Sequence, residues 1–233
     1  MATTQDYIRQ TTGAPNPVAR LAHNVRHKVA LQLVSQELRH GGSVLDFGCG
    51  PAGHFLQQLG NIRTDARLLG HDVSLKAEET ATHFTFIRDL QQLPDHQLDI
   101  ITCLEVYEHM YKHEHEELWM EIKRLLRPGG QFIMSVPIIS GPILLLKEMN
   151  QALFYPNQPE NRYTMMELLL ASFFGIPAKP PASPRQTHKG FSFRAAEADL
   201  ARNCKLIKKL YSPFTSLPWY ANSQVFFVAA PAA

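Results

Sequence analysis

Apolar residues recur along the chain at two different spacings, and the first of them follow a helix. Residues 18–40 place them three or four positions apart, and Gly41 and Gly42 end the pattern, which predicts a leading helix. A short apolar run follows at 43–47 and stops at a glycine-rich turn, after which residues 53–59 return to helical spacing. The pattern therefore predicts a helix, then a strand, a turn and a second helix.

The alternation of strands and helices continues through the next part of the chain. Apolar runs predict strands near 67–71, 84–88, 98–106 and 131–136, and helical spacing predicts a helix near 113–126. Strands that alternate with helices form right-handed βαβ units in a mostly parallel sheet that is covered on both faces. We predict an α/β fold with an open, doubly wound sheet.

The last part of the chain is predicted to complete the sheet with an antiparallel pair. Residues 193–203 have helical spacing, whereas 205–211 and 224–230 have the apolar character of strands. The link between these strands, 212–218, is short and rich in proline and serine. Links of this kind join antiparallel neighbours.

A proline-rich segment separates these two regions. Between 137 and 189 the chain has eight prolines and two apolar stretches, 143–154 and 165–174. Unstructured loops of this length are uncommon in compact domains. We predict that residues 138–190 form a helical lid inserted into the fold.

Composition limits the chain to one globular domain with few classes of partner. Its 233 residues suffice for one α/β domain with a cap, and 45% hydrophobic against 19% charged residues provide a buried core. The net charge of +2 comes without a dense basic run beyond the short stretch 205–209, so no nucleic-acid partner is expected. No apolar run approaches the roughly 20 residues that span a bilayer, so no membrane partner is expected either.

The cysteines and the N-terminus bear on the compartment. Cys49, Cys103 and Cys204 lie in unrelated surroundings and form neither a disulfide framework nor a zinc set. The polar N-terminus does not have the pattern of a secretory signal. These features favour a reducing compartment, and we expect a cytoplasmic location.

The turn after the first predicted strand has the sequence Gly48-Cys49-Gly50-Pro51-Ala52-Gly53. Such glycines allow the backbone to approach a ligand at a helix N-terminus, as in dinucleotide sites. Asp46 stands two residues before the first glycine, where its charge would repel a pyrophosphate and attract an ammonium group. Asp46 therefore favours a cationic ligand, with a role as a helix N-cap or turn former as the alternative.

Two further acidic residues stand at predicted strand ends. Asp72 follows the second strand at about the spacing of a carboxylate that binds ribose hydroxyls. Asp89 ends the third strand, where it could bind an adenine amino group or form a turn. Because a nicotinamide dinucleotide and S-adenosylmethionine both contain ribose, Asp72 supports a nucleotide site without choosing its ligand.

Four motifs stand in order along residues 43–137. They are Val44-Leu45-Asp46-Phe47-Gly48-Cys49-Gly50, Gly70-His71-Asp72-Val73, Leu98-Asp99-Ile100-Ile101-Thr102-Cys103-Leu104-Glu105-Val106-Tyr107-Glu108-His109 and Leu125-Leu126-Arg127-Pro128-Gly129-Gly130. The set resembles the successive motifs of the class I S-adenosylmethionine-dependent methyltransferases, and it is far more specific than any single member. The sequence is most similar to the branch with quinone-biosynthesis methyltransferases, whose fourth strand ends in a similar Glu-x-x-Glu-His signature.

The resemblance implies a fold, a cofactor and a set of cofactor contacts. The fold would be a Rossmann-like, seven-stranded sheet with an antiparallel last strand, and the cofactor S-adenosylmethionine, with S-adenosylhomocysteine as its product. The implied contacts are Asp46, Gly48 and Gly50 with the methionine part, Asp72 and the adjacent Val73 with the ribose, Asp89 and Leu90 with the adenine, and Leu104 and Glu105 with the floor below the sulfonium.

The whole chain is expected to form a single methyltransferase domain. Residues 1–42 make its N-terminal helical segment and 43–137 its cofactor-binding core. The lid over 138–190 and a C-terminal helix and strand pair over 191–233 complete it.

Methyl transfer is an in-line displacement, for which alignment of the reacting atoms matters most and a base is optional. His109, just past the fourth strand, and His188, at the end of the lid, are the candidate catalytic residues. His188, Tyr155 and Phe191 are candidates for contact with the acceptor, with packing inside the lid as the alternative for the aromatic residues.

The histidine-rich stretch 109–115 raises the question of a metal site. His109 and His113 are four residues apart and would share one face of a helix. The pattern lacks an evident third ligand and lies beside Glu116 and Glu117 on what resembles a solvated helix start. We therefore expect no metal.

The sequence as a whole predicts methyl transfer to an oxygen or nitrogen atom of a small molecule held under the lid. Arg20, His23 and Arg26 of the leading helix are candidates for the methionine carboxylate, with a solvated helix face as the alternative. Two other functions stay open, an NAD(P)-dependent oxidoreductase with the same glycine turn and a non-catalytic member of the fold.

Overall fold

One seven-stranded sheet forms the centre of the computed structural model. The structure describes residues 17–75, 80–154, 163–181 and 183–232, with the backbone alone for 17–23, 150–154 and 186. The strands are β1 (Ser43–Phe47), β2 (Arg67–His71), β3 (Thr85–Phe86), β4 (Leu98–Leu104), β5 (Leu126–Pro137), β6 (Cys204–Ser212) and β7 (Gln224–Pro231). The helices are α1 (Pro17–Glu37), α2 (His54–Ile62), α3 (Lys112–Leu125), α4 (Pro142–Phe154), α5 (Met165–Leu169) and α6 (Phe193–Asn203).

The strand order is β3-β2-β1-β4-β5-β7-β6. β1 pairs in parallel with β2 and β4, and β4 pairs in parallel with β5. β7 runs antiparallel to both of its neighbours, β5 and β6. This topology confirms the predicted Rossmann-like α/β fold with an antiparallel last strand.

Helices bury apolar side chains on both faces of the sheet, as expected for a parallel sheet. On one face, α1 and α2 contribute buried residues such as Val34 and Leu56. On the other face, α3 and α6 contribute Trp119 and Leu200 among others. The two cores fix the central strands, and their carboxyl ends form the edge where ligands bind in open α/β sheets.

Several predicted boundaries match the structure, and three strands differ for local reasons. β1, β2 and α6 have the predicted bounds, whereas β3 has only two residues. β4 ends at Leu104 instead of 106, because Glu105 has a positive φ of 57° and the chain then enters a 3-10 turn over Tyr107–His109. β5 begins at Leu126 instead of 131, because Leu126 already pairs with Leu98 before an irregularity shifts the register.

The predicted lid contains helices at both of its apolar stretches. α4 covers the first, and α5 covers the second together with a π-helical turn over Leu170–Phe174. Ile139, Leu144 and Ala171 form a small buried core between these pieces. In the part of the chain that the structure describes, no helix combines the length and apolarity needed to cross a bilayer.

Candidate functional site

A cavity of about 380 Å³ opens at the carboxyl ends of β1 and β4. This volume lies within the range of small-molecule and cofactor sites. From the core it is lined by Asp46, Gly48, Gly50, Leu104 and Glu105, and from other elements by Arg26, His109 and His188. The structure therefore brings together most of the methionine-side and catalytic candidates that the sequence indicated.

The glycine turn forms the floor of this cavity, and part of it packs tightly against neighbouring residues. Gly48 has φ 84° and donates its N–H to the carbonyl of His71 at 2.7 Å. A β-carbon at Gly48 would lie 2.5 Å from Val106 Cγ2, whereas one at Gly50, with φ 67°, would meet nothing within 4 Å. The turn thus needs glycine at Gly48 for packing inside the protein, and Gly50 leaves open space on the ligand side.

Asp46 places a carboxyl group almost out of contact with water. Its residue is 3% exposed, and one carboxylate oxygen accepts a hydrogen bond from Thr102 Oγ1 at 2.6 Å. Burial raises the pKa of Asp46 to about 7, and the nearby charge of Asp72 acts in the same direction. Near neutral pH this group is therefore poised to ionise when a cation enters the cavity.

Asp72 lies just beyond β2 and is tied to the turn. Its Oδ2 accepts the N–H of Gly50 at 3.0 Å, and its Oδ1 accepts the N–H of Ser74 at 2.8 Å. A carboxylate has about four acceptor positions, and the hydroxyl of Ser74 occupies a third. The side chain keeps acceptor capacity beside the turn without being part of the cavity lining.

Glu105 connects four elements around the cavity. Its Oε2 pairs with Arg26 Nη1 on α1 at 2.9 Å, and its Oε1 accepts hydrogen bonds from Gln224 Nε2 at 2.6 Å and Ser135 Oγ at 3.3 Å. The sequence indicated Arg26 as a candidate for binding the methionine carboxylate, but it did not indicate Gln224 or Ser135 as residues of the site. Their signal is a polar residue in an otherwise buried strand, since both are about 1% exposed.

Three predicted cofactor contacts lie apart from the described cavity. Val73 is 75% exposed. Asp89 accepts the N–H of Gln91 at 2.9 Å and caps the 3-10 turn Leu90–Gln92, which is the turn-forming alternative considered for it. Leu90 belongs to the buried core on the α3 face. Asp89 and Leu90 thus have structural roles in the described contacts, and Val73 is exposed to solvent.

His109 and His188 meet at one wall of the cavity, although 79 positions separate them in the sequence. Their ring centroids are 4.6 Å apart. His109 Nδ1 lies 3.0 Å from the carbonyl oxygen of Pro184. The end of the insertion therefore docks on the 3-10 turn that follows β4 and completes the wall.

The residue between them in space is Glu108, which the sequence did not single out. Its side chain is fully buried, with Oε1 3.4 Å from His188 Nδ1 and 4.0 Å from His109 Nε2. Burial and the negative charge of Glu105 raise the pKa of Glu108 well above its ordinary value. The motif Glu105-x-x-Glu108-His109 thus turns one glutamate to Arg26 and the other to the histidines.

Of the two aromatic acceptor candidates, the structure describes Phe191, which does not line this cavity. Tyr155 lies outside the described residues. Phe191 packs against the core on the α3 face and lines a second groove of about 400 Å³, together with Tyr107 and Pro180. Of the two acceptor candidates that the structure describes, His188 lines the cavity that holds the glycine turn and Phe191 does not.

Known proteins match the chain in sequence pattern and in fold. Residues 45–134 match the family profile described as a methyltransferase domain. A Pyrococcus horikoshii protein, PH0226, aligns with a TM-score of 0.57 and 16% identity over 98% of this chain and 97% of its own. A TehB-like SAM-dependent methyltransferase from Corynebacterium glutamicum aligns at 0.53 and 16% identity, over 93% and 100%.

A third solved structure has a similar fold. It is the putative methyltransferase of Haloferax volcanii in complex with the Trm112 methyltransferase activator, at a TM-score of 0.51 and 16% identity over 90% of this chain and 91% of that one. At such identities the structural matches establish the fold, while the methyltransferase profile covers the segment from β1 to β5 that lines the cavity.

Proposed function

We propose that this chain, which contains a methyltransferase domain, is a class I S-adenosylmethionine-dependent methyltransferase that transfers the methyl group of its cofactor to an oxygen or nitrogen atom of a small molecule. The observation that carries the choice of acceptor is the shared cavity. Asp46 and the glycine turn line it on one side, and His109 and His188 line it on the other. An acceptor beside the two histidines would therefore face the cofactor within one cavity.

The chemistry of the lining fits the cofactor. S-adenosylmethionine supplies a methyl carbon on a positively charged sulfur, next to an ammonium group. Buried Asp46 and the Glu105 carboxylate provide the complementary negative charge. Gly48 lets the turn pack against Val106, Gly50 leaves open space for the methionine part, and Leu104 with Glu105 would lie below the sulfonium.

The remaining cofactor contacts are assigned from charge and position. Asp72 is proposed to bind the ribose hydroxyls, because its carboxylate adjoins Gly50 and keeps acceptor capacity. For Val73, Asp89 and Leu90 the described contacts add no support, and these residues stay candidates from the family resemblance alone.

Alignment of the reacting groups supplies most of the rate in our account. Holding a nucleophile in line with the methyl carbon can contribute up to about 7–11 kcal/mol in ideal cases. The α1 helix contributes Arg26, which pairs with Glu105, and the insertion over 138–190 contributes His188. Together they would close the cavity and exclude water. His109 and His188 are the proposed catalytic residues because their side chains reach the acceptor's side of the cavity.

The same proposal places the protein in the cytoplasm, without nucleic-acid or membrane partners. The three cysteines are free thiols, as in reducing compartments. The 23 basic and 21 acidic residues give a net charge of +2, which offers little attraction to phosphate backbones.

Asp72→Ala is expected to weaken S-adenosylmethionine binding at least about tenfold, or 1.4 kcal/mol, because charge-assisted hydrogen bonds to the ribose would be lost. Isothermal titration of the purified full chain measures this. Asp95→Ala is the matched control, since that exposed carboxylate pairs with Arg124 and does not line the cavity, and its affinity for the cofactor should stay within about twofold of wild type. Equal affinities for Asp72→Ala and wild type would remove Asp72 from the site.

A further inference from the structure

We propose that Glu108, His109 and His188 bind a divalent transition-metal ion at the edge of the cavity. The role of the metal ion in catalysis rests on the proposed function, whereas the test of metal binding does not. One ligand atom from each residue lies within 4.8 Å of the other two. Metal–ligand bonds of about 2.0–2.2 Å would place ligand atoms about 3–3.5 Å apart, so shifts of about an ångström or less would complete the set.

Glu108 has a buried carboxyl group without a hydrogen-bond partner among the described residues. Its side chain is 0% exposed, and among the described residues neither of its carboxylate oxygens has a hydrogen bond. Buried polar groups are almost always hydrogen-bonded or coordinated, because burying them unpaired is costly. The unpaired oxygens lie toward His188 Nδ1, which itself has no hydrogen-bond partner there. A bound cation would satisfy both residues at once.

His109 is oriented as a metal ligand. A carbonyl oxygen only accepts hydrogen bonds, so the 3.0 Å contact with Pro184 places the proton of a neutral ring on Nδ1. The other nitrogen, Nε2, then directs a lone pair toward the carboxylate of Glu108, 4.0 Å away. A metal ion between these two groups would be bound by both of them. A ring N–H held by a backbone carbonyl is also the usual outer contact of a metal-bound histidine.

The three ligands come from two parts of the fold that are both fixed locally. Glu108 and His109 lie on the 3-10 turn after β4, where the His109 N–H bonds the carbonyl of Val106 at 2.9 Å. His188 is held at the end of the insertion, where its carbonyl accepts the N–H of Phe191 at 3.1 Å. A metal ion here would join the insertion to the core of the domain.

The donor set indicates the class of metal and of acceptor. Two imidazoles and one carboxylate suit Zn²⁺, Fe²⁺, Co²⁺ or Mn²⁺, whereas Mg²⁺ and Ca²⁺ prefer oxygen donors throughout. Three protein ligands leave coordination positions open, as in catalytic sites. His109 and His188 line the cavity, so these positions face the acceptor. The acceptor would then carry an oxygen that ligates the metal, such as a hydroxyl group, whose proton the metal would make easier to remove.

The test measures metal binding without the cofactor. The full chain is freed of metal by a chelator and titrated with Zn²⁺ by calorimetry, and with Co²⁺ by its visible absorption. We expect one equivalent bound with a dissociation constant in the micromolar range or below. Glu108→Gln and His188→Ala should each weaken binding at least about tenfold, while His113→Ala should not, because His113 is exposed on α3 and outside the cluster.

The outcomes separate metal binding from folding and from the proposed function. Circular dichroism of each variant shows whether it is folded, and Glu108→Gln keeps the shape of the buried side chain. Wild type that binds Zn²⁺ no more tightly than a folded Glu108→Gln overturns the metal site and leaves a glutamate–histidine hydrogen-bonded pair. If metal-free protein binds S-adenosylmethionine but no Zn²⁺, only the metal proposal fails. If it binds Zn²⁺ but no adenosyl ligand, only the proposed function fails.

Discussion

Asp46→Asn is expected to stabilise the unliganded protein at pH 8 by at least about 2 kcal/mol and to weaken S-adenosylmethionine binding at least about thirtyfold. Both effects have one cause, the burial of a carboxylate that needs a cation. Asparagine keeps the acceptor oxygen for Thr102 Oγ1 and removes the charge. The free energy is measured by urea unfolding, and the affinity by calorimetric titration.

The sign of the stability change follows from the pKa of Asp46. Below about pH 3 the carboxyl group is largely protonated in both folded and unfolded chains. As the pH rises, the unfolded chain releases its proton near 3.8 and the folded one only near 7, so wild type loses stability between these values. The full difference corresponds to about 4 kcal/mol as an upper bound. Asp46→Asn should therefore match wild type near pH 3 and exceed it at pH 8.

Binding should depend on pH in the opposite sense. A cationic ligand selects the ionised form of Asp46, whose population rises as the pH approaches and passes 7. Wild-type affinity should rise about tenfold from pH 5.5 to 7.5, while that of Asp46→Asn changes less than threefold. Asp95→Asn, a change at an exposed aspartate paired with Arg124, serves as the control. A variant that is less stable than wild type at pH 8 and binds equally well would contradict this role for Asp46.

Gly48→Ala is expected to lower the free energy of unfolding by about 3 kcal/mol, and Gly50→Ala by about 1 kcal/mol. Both positions have positive φ values, for which a β-carbon costs about 1–2 kcal/mol. At Gly48 the new methyl group would also lie 2.5 Å from Val106 Cγ2, and such overpacking costs a further 1–3 kcal/mol. Guanidinium unfolding of the two variants measures the difference.

Val106→Ala provides the check on that explanation, because it removes the two methyl groups that the alanine would meet. In the Gly48→Ala background it should recover at least about 1 kcal/mol relative to its effect in wild type, as a double-mutant cycle measures. For Gly50→Ala we expect a clear loss of cofactor affinity despite the small change in stability. Equal destabilisation by the two alanines, with no coupling to Val106, would argue against the packing described for this turn.

The sequence predicted most accurately the elements whose ends are marked by a glycine, an acidic residue or a capping serine. β1 and β2 have the predicted bounds because a continuous apolar run stops at glycine or at an acidic residue, and α6 has them because Ser192 caps a strongly periodic stretch. The end of β4 could not be predicted, because Glu105 adopts a positive φ that its residue type disfavours. In the structure the side chain of Glu105 contacts Arg26, Ser135 and Gln224, which lie far from it in the sequence.

The candidate site was predictable where the motif is continuous in sequence and not where distant segments meet. Asp46, Gly48, Gly50 and Glu105 share the cavity because they follow two neighbouring strands. The proposed role of Glu108 depends on its contact with His188, which lies 80 positions later at the end of the insertion. No local sequence pattern predicts that contact. The expectation of no metal considered only His109 and His113, which lie close in sequence, while His188 is the partner that the fold supplies.

The most direct test of the central claim compares ligands on the wild-type protein. S-adenosylmethionine and S-adenosylhomocysteine should each bind with one-to-one stoichiometry and micromolar affinity, and should raise the thermal midpoint by an amount that grows with the logarithm of the ligand excess over the dissociation constant. NAD⁺ and NADP⁺ should leave the midpoint unchanged. Stabilisation by a dinucleotide, with no response to either adenosyl ligand, would contradict the assignment of this cavity to a methyl donor.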